Sequence, residues 1–337
     1  MLGYIIKRVG LAIFTIWTIT VLAWVVIEIP EGDVVDRYMD LVMQGGMGID
    51  TEAVAADMKA YMGVGEPQYK RYYKWLRNLV QGDFGRSFQW GCGYWPNEKP
   101  VKEIIGDRIW TTVALTGFTV LITWTFAIPV GIYSAVRQHS LGDYVFTTLG
   151  FTGLAVPDFL LGLVLMYLAF AYFGQSVGGL NSADYKDAAW DLARMYDFLQ
   201  HLWVPAVVLG TAGTAGLIRV MRNNLLDELS KPYVVTAQAK GLKSWPLILK
   251  YPVRVAINPL VSTVGYLLPA LVSGSVIVSV VLSLPTLGPV LLTSVWQQDI
   301  YLAGFIVLML GIMTVLGTLL SDILLAVVDP RIKLTDD

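Results

Sequence analysis

Residues 233–261, which read YVVTAQAKGLKSWPLILKYPVRVAINPLV, form a polar and basic stretch with a glycine at position 241. Long apolar runs lie on both sides of it. Of the 337 residues in the chain, 55% are hydrophobic and only 15% are charged, whereas soluble domains carry about 25% charged residues. The composition therefore predicts a membrane protein, in which the basic stretch connects two spans.

Six apolar runs are long enough, or nearly so, to cross a membrane. A hydrocarbon core about 30 Å thick takes roughly 20 residues of helix. The runs lie at 9–29, 111–136, 144–173, 202–218, 255–284 and 300–328. The predicted fold class is an all-α polytopic membrane protein with six transmembrane helices.

Lysine and arginine predict the orientation, because these residues are enriched in cytoplasmic connections. The segment 219–254 carries seven basic and two acidic residues, whereas 174–201 carries two basic and four acidic ones. Basic residues also stand near both ends of the chain, at Lys7, Arg8, Arg331 and Lys333. We therefore expect both termini and 219–254 to be cytoplasmic, with 30–110 and 174–201 on the outside.

Four parts follow from this topology. They are the N-terminus with the first span at 1–29, an extracytoplasmic loop region at 30–110, a core transmembrane domain at 111–328 that contains the loop 219–254, and a cytoplasmic tail at 329–337. In the extracytoplasmic region, apolar and aromatic residues at helical spacing predict a helix from Gln68 to Val80. A folded cap on the spans and a docking surface for a partner are both compatible with this region.

Motifs of enzymes are absent from the sequence. There is no GxxxxGK[ST] phosphate loop and no HExxH metal motif. Cys92 is the only cysteine, which excludes an internal disulfide and a cysteine-based metal site. The net charge of −2 argues against nucleic acid as a partner. We expect no catalytic residue, no metal site and no cofactor in this chain.

Polar residues inside the predicted spans are candidates for a transport path, because burying them in a membrane is costly. Asp158 follows Pro157 in the third predicted span. Its carboxylate either caps a restarted helix or lines a polar path. Ser273 and Ser275 are candidates for the path in the fifth predicted span.

The stretch 233–261 has its own helix signals. Pro232 is well placed at a helix start, and Gly241 at a helix end. A second short segment at 244–251 then leads through Pro252 into the next span. Such a segment is either an interfacial helix that its lysines hold to anionic lipid, or a rigid lever that docks on a soluble cytoplasmic partner.

Five segments, in the same order along the chain, resemble one family. They are KRVGLAIFTIWTITVLAWVVIEIPEGD at 7–33, MGVGEPQYKRYYKWLRNLVQGDFGRSF at 62–88, PVKEIIGDRIWTTVAL at 100–115, YVVTAQAKGL…NPL from 233, and DPRIKL at 329–334. Together they are similar to ABC-importer permeases of the dipeptide/oligopeptide/nickel family, of its first-permease type. The resemblance favours the lever over the lipid-held helix.

The resemblance implies a type I importer permease fold in a bacterial or archaeal cytoplasmic membrane. It implies half of a translocation pathway, completed by a second homologous permease. Two cytoplasmic ATP-binding subunits would bind ATP and Mg²⁺, and an extracytoplasmic solute-binding protein would deliver cargo. Membrane lipid surrounds such a subunit, which has no ATPase site of its own.

The same resemblance assigns residues in the cytoplasmic loop. Ala237 and Gly241 occupy the small positions of the family signature. Around them, the ATPase-coupling face would consist of Tyr233, Thr236, Lys240 and Leu242. Small residues allow close approach, and Lys240 offers a charge-assisted contact.

Two departures from the family pattern leave the cargo open. Tyr251 stands where the family usually has histidine, and Thr286 replaces a glycine in VVLSLPTLGPVLL at 280–292, which also lacks the usual Glu and Phe. The chain has 11 Trp and 17 Tyr residues, and aromatic faces stack on sugars. Oligopeptides or dipeptides and oligosaccharides both remain candidates, and nickel lacks ligands here. The alternative function is a six-helix channel or a secondary carrier that ATP does not power.

Overall fold

The computed structural model describes residues 2–28, 35, 39, 51–87, 99–176, 178–185, 188–274 and 276–328. The described residues form helices and contain no strand. The helices are α1 Leu2–Glu28, α2 Thr51–Met62, α3 Gln68–Val80, α4 Val101–Val136, α5 Leu141–Ala155, α6 Asp158–Phe173, α7 Leu192–Leu229, α8 Pro232–Ala239, α9 Ser244–Lys250, α10 Pro252–Ala256, α11 Asn258–Gly274, α12 Val276–Val281, α13 Leu287–Trp296 and α14 Ile300–Val328. The predicted all-α class is confirmed for this part of the chain.

Several helices are long and apolar enough to cross a membrane. Two single helices, Val101–Val136 and Ile300–Leu325, meet this requirement. Two pairs of consecutive helical segments meet it when each pair is taken together, but both pairs are bent: α5 and α6 by 104°, and the two halves of α7 by 53°. Length and composition thus support up to four spans among the described residues. The count of six remains a prediction, since the fifth predicted span is divided among α10, α11 and α12.

The sharp bend between α5 and α6 has a local cause. Val156 precedes Pro157, and the proline ring disfavours helical geometry at the residue before it. Val156 is accordingly extended, with φ −82° and ψ 124°. Because proline has no backbone N–H, a new helix starts after Pro157, at Asp158.

The chain divides into two compact units. The first comprises Met1–Lys7, Thr111–Thr286 and Met313–Asp337, and it contains all of 219–254. Its apolar core includes a cluster around Leu202, Val208 and Leu282 and another around Met221 and Leu260.

Small residues let helices of the first unit approach closely. A Cβ at Gly317 would lie 2.6 Å from the carbonyl oxygen of Gly265. A Cβ at Gly153 would lie 2.7 Å from Cγ2 of Thr211. Such contacts are typical of helices that pack inside membranes, where close backbone approach supplies van der Waals energy.

The second unit comprises Arg8–Trp110 and Leu287–Ile312. Trp24, Tyr72 and Trp75 form an aromatic cluster in it, with ring centroids 5.5–6.0 Å apart. The hydroxyl group of Tyr72 lies 2.7 Å from that of Thr20, so α3 packs against α1. The helix predicted from Gln68 to Val80 is confirmed with the same ends.

Candidate functional site

Helix α8 and the turn after it have the geometry that the sequence predicts. Pro232 is the first residue of α8, where its fixed φ suits a helix and its missing N–H costs no hydrogen bond. Gly241 has φ +77°, a left-handed conformation that residues with a Cβ rarely adopt. Its N–H donates to the Gln238 carbonyl oxygen at 2.9 Å. The glycine therefore ends the helix, as predicted.

A small apolar cluster holds α8 and α9 together. Val234, Leu247 and Ile248 are buried in it, with Val234 fully inaccessible. Partly buried side chains from the ends of α4 and α7, Val136 and Leu229, pack against them. The segment 232–250 is therefore anchored to the helix bundle and does not hang as a free loop.

One cavity of about 680 Å³ lies beside this segment. Five of the six residues predicted for coupling line it, namely Tyr233, Thr236, Ala237, Lys240 and Leu242. Gly241 does not line the cavity. It forms the adjoining turn, and a Cβ there would meet no atom within 4 Å. The structure thus brings the predicted residues together on one exposed surface, which we name the α8 surface. Their coupling role stays a prediction.

The α8 surface is electropositive. Lys231, Lys240, Lys250 and Arg254 line its cavity, against a single carboxylate, Glu228. The Tyr233 hydroxyl group donates to that carboxylate at 2.5 Å. None of the three lysines pairs with a carboxylate among the described residues. The surface is therefore suited to an acidic protein partner.

Arg254 joins this surface to the last helix. Its Nε donates to the carbonyl oxygen of Val328, at 2.7 Å. Val328 is the last residue of α14, where carbonyl groups lack helical partners and the helix dipole attracts a cation. Sequence reasoning counted Arg254 only as one of the loop's positive charges, because nothing in the local pattern relates positions 254 and 328.

A buried ion pair braces the helices that lead to the α8 surface. Arg222 on α7 donates from Nε and Nη2 to the two carboxylate oxygens of Asp143, at 3.2 and 3.1 Å. The backbone N–H of His139 donates to the same carboxylate at 3.0 Å. Sequence reasoning missed this pair.

The residues predicted for a substrate path are not brought together. Asp158 is the first residue of α6, and no hydrogen bond to its carboxylate supports the capping interpretation. Its carboxylate is half-buried, and no described residue bonds to it. The side chain of Ser273 and the whole of Ser275 lie outside the described residues.

A polar cluster that the sequence did not reveal fixes the segment before α7. Asp197 accepts from the backbone N–H of Ser182 at 2.8 Å. His201 lies 2.8 Å, through Nδ1, from the Asp197 carbonyl oxygen and 3.2 Å, through Nε2, from the Ser176 hydroxyl group. Asp197 and His201 are both buried, and the adjoining space is only about 20 Å³. The cluster therefore ties Ser176 and Ser182 to α7.

Comparisons with known proteins extend over most of the chain. The family model described as "Binding-protein-dependent transport system inner membrane component" matches residues 127–334. The oligopeptide transport system permease protein AppB of Bacillus subtilis is 34% identical over 337 residues, which cover 99% of this chain and 100% of the relative. The dipeptide transport system permease protein DppB of Escherichia coli K12 is 29% identical over 99% of each chain.

A solved structure has a similar fold. A chain of the MetNI methionine ABC transporter, in an inward-facing conformation, matches with a TM-score of 0.52 and 17% identity. The match covers 69% of this chain and 99% of that one. At this identity the likeness concerns the fold alone, and it supports the type I importer architecture expected from the sequence.

Proposed function

This chain belongs to the family of binding-protein-dependent transport system inner membrane components, and we propose that a cytoplasmic ATPase docks on its α8 surface. Movement of the ATPase would be transmitted through this surface to the membrane helices. The resemblance to dipeptide and oligopeptide permeases, drawn from sequence motifs, is confirmed. The chain is a transmembrane permease subunit of an ABC importer. It forms one half of a pathway through the membrane and is not itself the ATPase.

The proposed assembly contains a second homologous permease, two cytoplasmic ATP-binding subunits and an extracytoplasmic solute-binding protein. ATP and Mg²⁺ would bind to the partners, because this sequence has no phosphate-binding motif. Six spans, cytoplasmic termini and the four-part division at 1–29, 30–110, 111–328 and 329–337 belong to the same proposal. The excess of lysine and arginine in 219–254 supports that orientation.

One observation carries the coupling proposal: five of the six signature residues line one electropositive cavity, and the sixth forms its left-handed turn. An ATPase cleft lined with carboxylates would bind Lys240 and its neighbours through charge-assisted hydrogen bonds. The buried cluster of Val234, Leu247 and Ile248 makes the segment rigid. A displacement of the ATPase would therefore move α8 and α9 as one body.

We propose peptides as the cargo class. Both relatives are named as oligopeptide or dipeptide permeases, and their alignments cover 99% of this chain. The oligosaccharide alternative has only the high aromatic content to support it, and interfacial aromatic residues account for much of that content. The channel or secondary-carrier alternative has no supporting observation beyond the apolar helices.

Asp158 is a proposed residue of the peptide path. It is the first residue of α6, at the 104° bend, and it lies in a predicted span. Its carboxylate bonds to no described residue. A carboxylate placed there in apolar surroundings attracts a cation. The ammonium group at the N-terminus of a peptide has the required charge, so Asp158→Asn is expected to raise the substrate concentration that half-saturates uptake.

Reconstituted uptake tests the function directly. The chain, purified with the subunits that accompany it, is placed in proteoliposomes that contain ATP, and a labelled peptide is offered together with the binding protein. We expect uptake and stimulated ATP hydrolysis with peptide-loaded binding protein only. Uptake that continues with a non-hydrolysable ATP analogue would support a channel or carrier instead. Stimulation by an oligosaccharide alone would reassign the cargo.

A further inference from the structure

A second cavity of about 470 Å³ lies between α5 and α7, away from the α8 surface. Its polar lining residues include His139, Arg219 and Asn223. Its apolar lining residues include Phe151 and Leu154. We name it the α5–α7 groove. Its volume falls within the range of about 300–1,000 Å³ that is typical of ligand sites.

Arg219 gives the groove a positive charge that no described carboxylate neutralises. The guanidinium group of Arg219 lies 4.8 Å from the centroid of the Phe151 ring. The side chain is exposed, and no carboxylate pairs with it in the described part of the chain. Its neighbour Arg222 is already engaged by Asp143. Arg219 can therefore bind an anion without breaking an existing ion pair.

The length of the groove matches one leaflet of a bilayer. The lining residues of α5 run from Asp143 to Leu154, a rise of about 16 Å at 1.5 Å per residue. Half of a hydrocarbon core measures about 15 Å. Arg219 directly follows the fourth predicted span, and its guanidinium group lies beside Phe151, part of the way along these walls. The groove thus combines a cation with apolar walls that are about as long as one leaflet is deep.

We propose that the α5–α7 groove binds one anionic phospholipid of the cytoplasmic leaflet. The phosphate would lie against Arg219, whose planar fork of donors suits phosphate oxygens, and an acyl chain would extend past Phe151 toward Leu154. Basic pockets between membrane helices on the cytoplasmic side are a known way to recognise anionic headgroups. This site is independent of the ATPase-coupling role, and it uses only the proposed orientation of the chain.

Native mass spectrometry tests the proposal. The full-length chain is purified with its accompanying subunits in mild detergent and mixed with equal amounts of phosphatidylglycerol and phosphatidylcholine. We expect one phosphatidylglycerol per chain to be retained in preference. Arg219→Ala should weaken that binding about fivefold, the effect of one basic residue near an anionic lipid surface. Arg137→Ala is the matched control, since Arg137 is also exposed, lies 5.9 Å from the centroid of Tyr133 and does not line the groove.

A second variant separates the groove from general surface charge. Gly150 lines the groove, and a Cβ there would lie 3.5 Å from Cβ of Ala215, an ordinary contact. Gly150→Leu is expected to fill the apolar part and displace the lipid while every charge remains. Equal retention of both lipids by the wild type, or equal losses in Arg219→Ala and Arg137→Ala, would overturn the proposal. So would a lipid that binds the isolated chain but not the complex, because the second permease would then cover the groove.

Discussion

Substitutions at Gly241 separate two reasons for a glycine at the end of α8. The first reason is conformational, since φ is +77°. The second is close approach, since a partner that docks on the α8 surface leaves no space for a side chain. Within this chain the position is open, because a Cβ would meet no atom within 4 Å. Any steric effect of a substitution there must therefore come from a partner.

The two reasons predict opposite orders of severity. Alanine in a left-handed conformation costs about 1–2 kcal/mol, whereas asparagine and aspartate visit that region more readily. If conformation alone matters, Gly241→Ala lowers the population of the native turn roughly 5- to 30-fold, and Gly241→Asn lowers it less. If a partner approaches closely, Gly241→Asn and Gly241→Asp are worse than Gly241→Ala, because they add more atoms at the contact. We expect the second order.

The assay is ATP hydrolysis stimulated by the binding protein, measured with peptide uptake in the same proteoliposomes. Gly241→Asp is expected to insert normally and to lose uptake, with hydrolysis no longer linked to peptide. The matched control is the same series at Gly82, which has φ +82° and equally open space after α3 in the other unit. Normal uptake by Gly241→Asp at normal expression, or a greater loss in Gly241→Ala than in Gly241→Asn, would refute the reasoning.

Three further predictions concern contacts around the same helices. Asp143→Asn and Arg222→Ala should each lower the unfolding temperature, and their double-mutant cycle should give a coupling energy of about 0.5–3 kcal/mol; additive effects would contradict the bidentate pair. Arg254→Ala removes the bond to Val328 and should reduce uptake more than Arg254→Lys does, while unstimulated hydrolysis is unchanged; equal uptake by both variants would count against the link. Gly265→Leu would force a side chain against Thr318, and the yield of folded protein in detergent should fall well below that of Gly216→Leu, where the space is open.

Local signals explain which elements the sequence predicted well. Pro232 and Gly241 act within a few residues of their own positions, so the ends of α8 followed from steric rules. The helix from Gln68 to Val80 followed from the spacing of its apolar residues, and its buried residues are Trp75 and Leu79. The break at Pro157 was also visible, because proline constrains the residue before it.

Contacts between distant positions could not be predicted in the same way. Asp143 and Arg222 are 79 positions apart, and Arg254 and Val328 are 74 apart. Either arginine could have paired with any of several acidic groups or carbonyls, and only helix packing selects the partner. The α5–α7 groove has the same origin, since the residues of α5 and of α7 that line it are more than 60 positions apart.

The Arg222–Asp143 and Arg254–Val328 contacts differ in strength, and this difference suggests which of them breaks when the α8 surface moves. The Arg222–Asp143 pair has two charge-assisted bonds and a carboxylate that is only 3% exposed, so separating it would leave a buried charge unpaired, at a cost of several kcal/mol. Arg254 makes one exposed bond to Val328, which water can replace at a cost of about 1 kcal/mol. A displacement of α8 and α9 should therefore carry α7 and α5 along as one body, while the end of α14 is released. ATP can shift the populations of two conformational states only if it has different affinities for them. The Arg254–Val328 contact is therefore the one whose loss best distinguishes two such states.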